Sequence, residues 1–443
     1  MSYVERFLSK KLDVLLDGPA SDIGTILVEG ARQVGKTTLI ERVLEKCDAR
    51  IIALNLEENP VIRLQIDECS NFKDFEDYLV NKHGFEINSD NILFIDEAQE
   101  SQHLGRFVRF FKERWNGPRV ILTGSTLHRL FRGDTRYPVG RVVVLHLNPF
   151  SFSEYLGAIK ATVALEALNG NIDEISAGRH KILLEHLDKY LLTGGLPEIV
   201  LKNFRGDDIH ELLEKMLADY IQDFYRLFDE NSADLAIKCL KSVASFVGSP
   251  SKLTTVLGSD PNTKSRKEAT TVFRRLEQWN LILNSEQFGP GPEASFGYHP
   301  KKYLFDTGIL RYLRETSVPS IQLSKTLDSQ QRRPLGGIIE NQVAIAIKQI
   351  TSSLSGWKQS SSGFEIDFVF KSRGQTIPIE CKAALTIKTQ HAKGVRSYLG
   401  KQGGSTGIIV SLAPFEIMNF DSNKTIINLP LYLVDRLLEI ITI

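Results

Sequence analysis

The chain has 443 residues, 42% of them hydrophobic and 24% charged, and its 54 Lys and Arg residues balance its 54 Asp and Glu residues. At about 150 residues per domain this length predicts roughly three globular domains, and a formal charge of zero excludes nucleic-acid binding driven by the field of the whole molecule. No apolar run approaches the roughly 18 residues of a membrane span, and the charged first residues argue against a secretory signal, so we expect a cytoplasmic protein.

The first third of the chain alternates apolar runs with helical patterns. The runs are rich in Val, Ile and Leu and alternate little with polar residues, as expected for strands covered on both faces. Strands are predicted at Thr25–Glu29, Ile51–Leu56, Ile92–Ile95, Val120–Leu122 and Arg141–Leu147. The pattern indicates an α/β domain over residues 1–150, built on a mostly parallel sheet with helices on its faces.

Helical patterns dominate the middle of the chain. Amphipathic stretches such as Ile182–Leu192 and Ile209–Phe228 predict a helical domain over residues 151–320, where strand runs are scarce. Residues 317–334 are polar and aperiodic, which predicts a linker or an exposed loop.

The last part of the chain returns to α/β alternation. A helix is predicted at Ile338–Ile350, followed by strands at Glu365–Phe370 and Thr376–Cys381. We expect residues 335–443 to form a separate small α/β domain.

A glycine-containing segment joins the first predicted strand to the helix that follows. Residues 30–37 read GARQVGKT and match the phosphate-binding pattern GxxxxGK[ST] at every fixed position. In this pattern the loop amides and the helix N-terminus bind an anion, Lys36 neutralises the β- and γ-phosphates, and Thr37 places its hydroxyl on Mg²⁺. The alternative, a chance match in a turn, does not account for the flanking strand and helix. We predict an ATP and Mg²⁺ site whose binding residues are Gly30, Ala31, Arg32, Gln33, Val34, Gly35, Lys36, Thr37 and Thr38.

Two carboxylates follow the third predicted strand, Ile92–Ile95. Asp96 and Glu97 would lie at the carboxyl edge of the sheet, where open α/β sheets bind ligands. Asp96 is the expected metal-binding residue, directly or through water, and Glu97 is expected to orient and polarise the attacking water. The alternative is an acidic pair that only begins a loop.

Small hydroxyl residues end the fourth predicted strand, which we expect to neighbour the strand that carries Asp96. Thr123 or Ser125 would then hydrogen-bond the γ-phosphate or the water. Ordinary turn residues at a strand end have the same composition, so this alternative stays open.

Basic residues dominate between Arg106 and Arg141. Arg132, Arg136 or Arg141 could act as an arginine finger, which stabilises charge on the transferring phosphoryl group from the same chain or from a neighbouring subunit. The same residues could instead form surface ion pairs or a nucleic-acid patch.

Several segments resemble a family of predicted prokaryotic AAA-type ATPases with a C-terminal domain of unknown function. They are GARQVGKTTL (30–39), ILFIDEAQ (92–99), ILTGS (121–125), GRVVVLHLNPFSFSEYL (140–156), YLLTGGLPEIV (190–200), KYLFDTGIL (302–310) and GGIIEN (336–341). The resemblance implies an α/β P-loop NTPase core of AAA type with a parallel sheet, and a helical lid with a winged-helix-like segment. It also implies a small C-terminal α/β domain like the restriction endonucleases.

Residues Asn262–Trp279 predict a capped helix whose apolar positions have core spacing. These positions are Val272, Phe273, Leu276 and Trp279, and the opposite face carries Lys264, Arg266, Lys267, Arg274 and Arg275. A recognition helix for the DNA major groove has this pattern, and so does a solvated helix in any helical protein.

Carboxylates in the last domain resemble the core of PD-(D/E)xK nucleases in their order. Glu340 lies on the predicted helix, Asp367 in the predicted hairpin, and Glu380 ends the next strand two residues before Lys382. Asp367 and Glu380 would converge on a divalent cation, Glu340 would complete the site, and Lys382 would orient or deprotonate a water. The fold also serves in proteins that bind without cleaving, so binding alone remains an alternative.

Three functions are consistent with these features. The first, which we favour, is a Mg²⁺-dependent ATPase that couples nucleotide state to domain motion and acts on duplex DNA or a protein partner. The second is an ATP-regulated DNA nuclease, and the third is a slow nucleotide-dependent switch without nuclease activity. Assembly into a homo-oligomer is compatible with all three.

Overall fold

The structure, a computed structural model, describes residues 4–18, 24–131, 137–258, 263–289, 299–314, 317–328, 330–359, 363–372, 374–421 and 423–441. These residues form two compact units. One comprises residues 5–148 and 278–280, and the other comprises residue 4 together with residues 149–277 and 281–441. None of the helices in the described ranges combines the length and the apolarity that crossing a bilayer requires.

A five-stranded sheet organises the first unit. Its strands are β1 (Thr25–Glu29), β2 (Arg50–Asn55), β3 (Asn91–Asp96), β4 (Arg119–Gly124) and β5 (Val142–His146). The strand order is β2-β3-β4-β1-β5, and every neighbouring pair is parallel. The parallel sheet predicted from the apolar runs is therefore confirmed, and β3 and β4 are neighbours as expected.

Helices cover this sheet. They are α1 (Phe7–Asp17), α2 (Lys36–Leu44), α3 (Pro60–Glu68), α4 (Phe72–His83) and α5 (Leu104–Arg114), with short 3₁₀ turns at Ala98–Glu100 and Leu127–Phe131. Helix α5 buries Leu104, Phe107, Val108 and Phe111, which lie at the i, i+3, i+4 and i+7 positions of one face. Each such side chain contributes about 1.5–3 kcal/mol when fully buried.

The second unit combines helices with two sheets. Its helices are α6 (Phe152–Ala158), α7 (Thr162–Asn169), α8 (Ala177–Thr193), α9 (Pro197–Phe204), α10 (Ile209–Leu227), α11 (Glu230–Ser245), α12 (Thr254–Leu257), α13 (Thr263–Gln278), α14 (Thr307–Leu313), α15 (Arg333–Ile350), α16 (Lys393–Gln402) and α17 (Leu437–Ile440). Its strands are β6 (Ile282–Phe288), β7 (Lys301–Leu304), β8 (Leu354–Lys358), β9 (Glu365–Ile366), β10 (Phe368–Ser372), β11 (Gln375–Cys381), β12 (Thr406–Ser411), β13 (Glu416–Asp421) and β14 (Lys424–Pro430). The strand orders are β7-β6-β8-β9 and β10-β11-β12-β14-β13.

The structure differs from the predicted helical domain at residues 282–304. Strands β6 and β7 lie in that segment, and β6 pairs in parallel with β8, which belongs to the predicted third domain. Residues 151–320 and 335–443 therefore share a sheet within one compact unit. Sequence patterns missed β6 because its buried positions include the polar Ser285 and Gln287, so no apolar run marks it.

The structure also differs from the exposed linker predicted at residues 317–334. Ile321 is buried, and its N–H donates to Asp188 Oδ1 at 3.0 Å. Helix α15 begins at Arg333, five residues before its predicted start, and takes Pro334 into its first turn. Proline is tolerated there because the first N–H groups of a helix have no intrahelical partner.

Candidate functional site

The glycine-containing loop between β1 and α2 curls in a way that only particular residues permit. Gln33 and Gly35 both have left-handed backbone angles, with φ of 65° and 91°. A Cβ on Gly30 would lie 2.2 Å from the carbonyl oxygen of Leu147, so no larger residue fits there. No side chain in the described ranges caps the start of α2 at Gly35, and the N–H groups of its first turn therefore remain suited to an anion.

Lys36 folds back over this loop. Its side chain is buried, and Nζ donates to the carbonyl oxygens of Gly30 at 3.1 Å and Ala31 at 3.0 Å. Burial lowers the pKa of Lys36, while the charges of Glu97 and Asp96 act in the opposite direction. Among the described residues, the hydrogen-bond acceptors of this buried ammonium group are neutral carbonyl oxygens, so an anionic ligand would stabilise it.

Asp96 gathers hydroxyl and amide groups at the carboxyl end of β3. Thr37 Oγ1 donates to Asp96 Oδ2 at 2.7 Å, and the Thr123 hydroxyl at the end of β4 donates to Oδ1. Asn55 Nδ2, at the end of β2, lies 3.5 Å from Oδ2. Because the loop and three parallel strands end at one edge of the sheet, residues far apart in sequence meet there.

Glu97 adopts a left-handed conformation with φ of 49°, which is unusual for a residue with a Cβ. Burial raises the pKa of Glu97, and the nearby charge of Lys36 partly offsets this effect. Gln99 Nε2 donates to Glu97 Oε2 at 2.5 Å and so fixes the carboxylate. Such strained backbone is often found at functional sites, where the surrounding structure enforces it.

The remaining loop residues have different surroundings. Ala31 and Val34 are buried, whereas Thr38 is exposed. Arg32 forms a partly exposed ion pair with Glu57 at 3.4 Å. The backbone of these residues forms the loop between β1 and α2, while the side chain of Thr38 faces solvent.

The predicted nuclease-like residues also meet, within the second unit. Asp367 lies between β9 and β10, and Oδ2 accepts the Cys381 N–H at 2.9 Å. Lys382 Nζ donates to Glu380 Oε1. Since Phe368 pairs with Ile379 in the β10–β11 hairpin, Asp367 and Glu380 are cross-strand neighbours, as their predicted convergence requires.

A residue that sequence analysis did not assign occupies the centre of this cluster. Lys301 Nζ lies 3.0 Å from Glu340 Oε1, 2.9 Å from Asp367 Oδ1 and 2.6 Å from Glu365 Oε1. Burial alone would lower the pKa of Lys301, but the surrounding carboxylates hold it well above its ordinary value. The nuclease family implies a divalent cation here, and the cluster does not fit one because an ammonium group already contacts its oxygens.

The carboxylates of this cluster have shifted pKa values. Burial and the charge of Asp367 raise the pKa of Glu340 to about 7 and that of Glu380 to about 8. Burial acts in the same direction on Asp367, but Lys301 and Lys382 outweigh it and lower the pKa of Asp367.

Residues 23–156 match the family model described as an AAA domain. Residues 184–320 and 335–432 match two family models, each described as a domain of unknown function. Comparison with curated proteins found no match.

Several solved structures of low sequence identity are similar to parts of this chain. The Walker-type ATPase PABY2304 of Pyrococcus abyssi is 15% identical, with 70% of this chain and 96% of that chain covered and a TM-score of 0.46. The RuvB Holliday junction branch migration motor of Thermotoga maritima is 17% identical, covering 63% and 88%, with a TM-score of 0.30. The ORC2 protein of Aeropyrum pernix is 13% identical, covering 79% and 97%, with a TM-score of 0.27.

Two residues that sequence analysis missed support the loop between β1 and α2 and the carboxylates at the end of β3. Gln99 donates a hydrogen bond to Glu97, and a Cβ on Gly124 would lie only 1.8 Å from Gln99 Oε1, so glycine leaves room for this side chain. Near the start of the first unit, the buried Arg6 donates to the carbonyl oxygens of Val34 at 2.9 Å and Asn148 at 2.6 Å. Gln99 ends the DEAQ segment, which was a usable signal, whereas nothing near Arg6 in sequence marked it.

Ser125 and Arg141, the other predicted site residues of the first unit, lie at opposite edges of its sheet. Ser125 follows β4 at the carboxyl edge, beside the strand that carries Asp96. Arg141 precedes β5 at the amino edge, about 16 Å along the strand from the carboxyl edge. It pairs there with Glu113 at 2.8 Å, and its distance from the carboxyl edge argues against action on a phosphate in its own chain, so action on the site of a neighbouring subunit is the alternative that stays a prediction. Arg132 and Arg136 lie outside the described residues.

Proposed function

We propose that the protein is a Mg²⁺-dependent ATPase whose nucleotide site is the cradle of Lys36, Thr37, Asp96 and Glu97. The observation that carries this proposal is the 2.7 Å hydrogen bond between Thr37 Oγ1 and Asp96 Oδ2, beside a buried lysine at the start of an uncapped helix. The match of residues 23–156 to an AAA domain supports it independently.

Each residue of the cradle has a distinct role in this proposal. The amides of the loop and the Nζ of Lys36 bind phosphate oxygens, and Thr37 and Asp96 supply oxygen ligands to Mg²⁺. The bound metal ion would neutralise charge on the phosphates. Glu97, held by Gln99, orients the attacking water, and its raised pKa suits it to accept a proton.

Replacing Lys36 tests the site. In Lys36→Ala we expect ATP hydrolysis to fall at least about 100-fold, because an electrostatic contact to the phosphates is lost. Lys46→Ala is the matched control, since Lys46 is exposed at the end of α2. Phosphate release and ATP binding are measured on the full chain. Absence of ATP binding by the natural protein would refute the proposal, and binding without turnover would support the slow switch instead.

Replacing Glu97 separates binding from hydrolysis. In Glu97→Gln we expect ATP to be retained while turnover falls about 100-fold or more, because the amide cannot accept a proton from water. Glu58→Gln is the control, since Glu58 is exposed. If Glu97→Gln hydrolysed ATP as fast as the natural protein, Glu97 would not be the residue that activates the attacking water.

We further propose that nucleotide state is coupled to domain motion and to a nucleic-acid partner. Helix α13 has the predicted burial of Val272, Phe273, Leu276 and Trp279, and Lys264, Arg266, Lys267 and Arg274 are exposed on it. Arg275 instead stacks on the ring of Phe228, with its Cζ 5.1 Å from the ring centroid. A separate cleft of about 1200 Å³ in the second unit is lined by Lys181, Arg332, Arg333, Lys382 and Lys388 together with Glu340.

Charge reversal on α13 tests the partner. Duplex DNA is expected to stimulate ATP hydrolysis by the natural protein. In the double variant Lys267→Glu and Arg274→Glu the stimulation should be lost, and the slope of log affinity against log salt should fall by about 2. Lys241→Glu, at an exposed site on α11, is the control. If the double variant bound duplex DNA as tightly as the natural protein, the DNA interface on α13 would be contradicted and a protein partner would be favoured.

A neighbouring copy remains part of the proposal. Since Arg141 lies at the edge of the sheet opposite the phosphate site of its own chain, an arginine finger from that position would act on the site of another subunit in a homo-oligomer.

A further inference from the structure

The carboxylate cluster of the second unit contains its own cation. Lys301 opens strand β7, is 2% exposed, and its Nζ contacts oxygens of Glu340, Glu365 and Asp367 at 2.6 to 3.0 Å. The three acids come from α15, β9 and the junction between β9 and β10. Their convergence on one Nζ atom therefore depends on the tertiary structure.

The oxygens of the cluster are also occupied by other donors. The hydroxyl of Tyr303 donates to Glu340 Oε1 at 2.7 Å. Asp367 Oδ2 accepts the N–H of Cys381, and Lys382 donates to Glu380. Within the described ranges no group of three or more His, Cys, Asp or Glu residues is arranged to hold a metal ion.

A divalent cation and the Lys301 ammonium would compete for one position. Mg²⁺ and Ca²⁺ require carboxylate oxygens at about 2.0–2.6 Å, and a second cation this close to Nζ would be repelled strongly. The backbone of Lys301 is held by the pairing of β7 with β6 at Ser285 and by a bridge to Pro250, and its side chain is 2% exposed, so Nζ could leave the cluster only by rotation within a packed interior. The lysine is therefore fixed by the fold as well as by its ion pairs.

We propose that Lys301 takes the place of the divalent cation in this cluster, so that the second unit keeps the carboxylate arrangement of a nuclease but neither binds a metal ion there nor hydrolyses phosphodiesters. The carboxylates then serve to hold β7, α15 and the β10–β11 hairpin together. Contact of this unit with nucleic acid, where it occurs, leaves the strand intact.

Binding of Mn²⁺ to the nucleotide-free full chain, followed by electron paramagnetic resonance, tests this proposal. We expect the natural protein and Asp367→Asn to bind the same amount of Mn²⁺. Lys301→Met should gain one bound Mn²⁺ per chain, and the double variant Lys301→Met and Asp367→Asn should lose it. Lys302→Met is the control, because Lys302 pairs with Glu277 and Asn284 outside the cluster.

Two results would overturn the proposal. One is Mn²⁺ binding by the natural protein that weakens tenfold or more in Asp367→Asn. The other is nicking of supercoiled plasmid with Mn²⁺ by the natural protein that disappears in Asp367→Asn. Both comparisons retain Lys301, so they decide the question even where Lys301→Met does not fold.

Discussion

The buried side chains of Lys36 and Lys301 differ in the charge of the groups that contact them. Such residues are seldom fully buried without partners. Lys36 donates to carbonyl oxygens, which carry no net charge, whereas Lys301 contacts three carboxylates. Burial accordingly lowers the pKa of Lys36, and the carboxylates raise that of Lys301. A bound anion would therefore stabilise the charge of Lys36, whereas three carboxylates already surround the charge of Lys301. This contrast separates the lysine that we propose binds phosphate from a structural lysine.

Arg6 provides a prediction at this scale. Arg6→Met should lower the free energy of unfolding by about 2–4 kcal/mol, because the buried carbonyls of Val34 and Asn148 lose their charged donor. ATP affinity should also fall, since Val34 belongs to the phosphate loop. Arg42→Met is the control: Arg42 forms an exposed i,i+3 pair with Glu45, worth about 0.5 kcal/mol. Urea unfolding and ATP titration measure both effects, and equal stability of the two variants would contradict the role of Arg6.

At the scale of elements, two segments that carry the family resemblance, GGLPE (194–198) and FDTGIL (305–310), contact each other. Asp306 caps α14 through the N–H of Ile309 at 3.0 Å and also accepts the N–H of Gly195 at 2.7 Å. Gly194 has φ of 76°, and a Cβ there would lie 2.2 Å from Asp306 Oδ1. The GGLPE and FDTGIL segments therefore join α8, α9 and α14. Packing and helix capping account for the glycines and for Asp306 in these segments.

Asp306 provides the prediction for this contact. Asp306→Ala should lower the free energy of unfolding by about 2–4 kcal/mol, from the lost helix cap and the buried N–H of Gly195 left without an acceptor. Asp208→Ala, which removes an exposed cap of α10, should cost only about 1 kcal/mol. Urea unfolding of both variants measures the difference, and similar losses would show that burial of Asp306 adds nothing.

At the scale of the whole molecule, the buried carboxylate cluster links the stability of the second unit to pH. The pKa of Glu380 is raised from 4.5 to about 8, chiefly by burial and then by the charge of Asp367. The folded protein thus keeps a proton that the unfolded chain has lost between these values. Stability should therefore fall as pH rises through that window and level off above about pH 8.

Replacement of Glu380 tests this dependence. Glu380→Gln, a neutral substitute, should remove part of the slope, at most about 1.4 kcal/mol per pH unit. Glu416→Gln, at an exposed site, should keep the slope of the natural protein. Urea midpoints at about pH 5.5, 7 and 8.5 provide the measurement, and parallel curves for the natural protein and Glu380→Gln would contradict the assignment.

The sequence by itself determined the parallel sheet of the first unit, and also the loop and strand end that form the proposed nucleotide cradle. Residues 30–37 act through local backbone geometry, and Asp96 and Glu97 lie at a strand end, so periodicity and spacing sufficed to find them. The order Glu340, Asp367, Glu380 and Lys382 likewise identified residues that the fold brings together.

Only the tertiary structure decided what those residues contact. Lys301 is 39 residues from Glu340 and 66 from Asp367, and Arg6 is 28 residues from Val34, so no local pattern connects them. The pairing of β6 with β8 and the edge of the sheet that Arg141 occupies also depend on contacts between distant segments. Local spacing encodes a loop or a strand end, whereas the charge at the centre of a buried cluster is set by whichever distant side chain folding brings there.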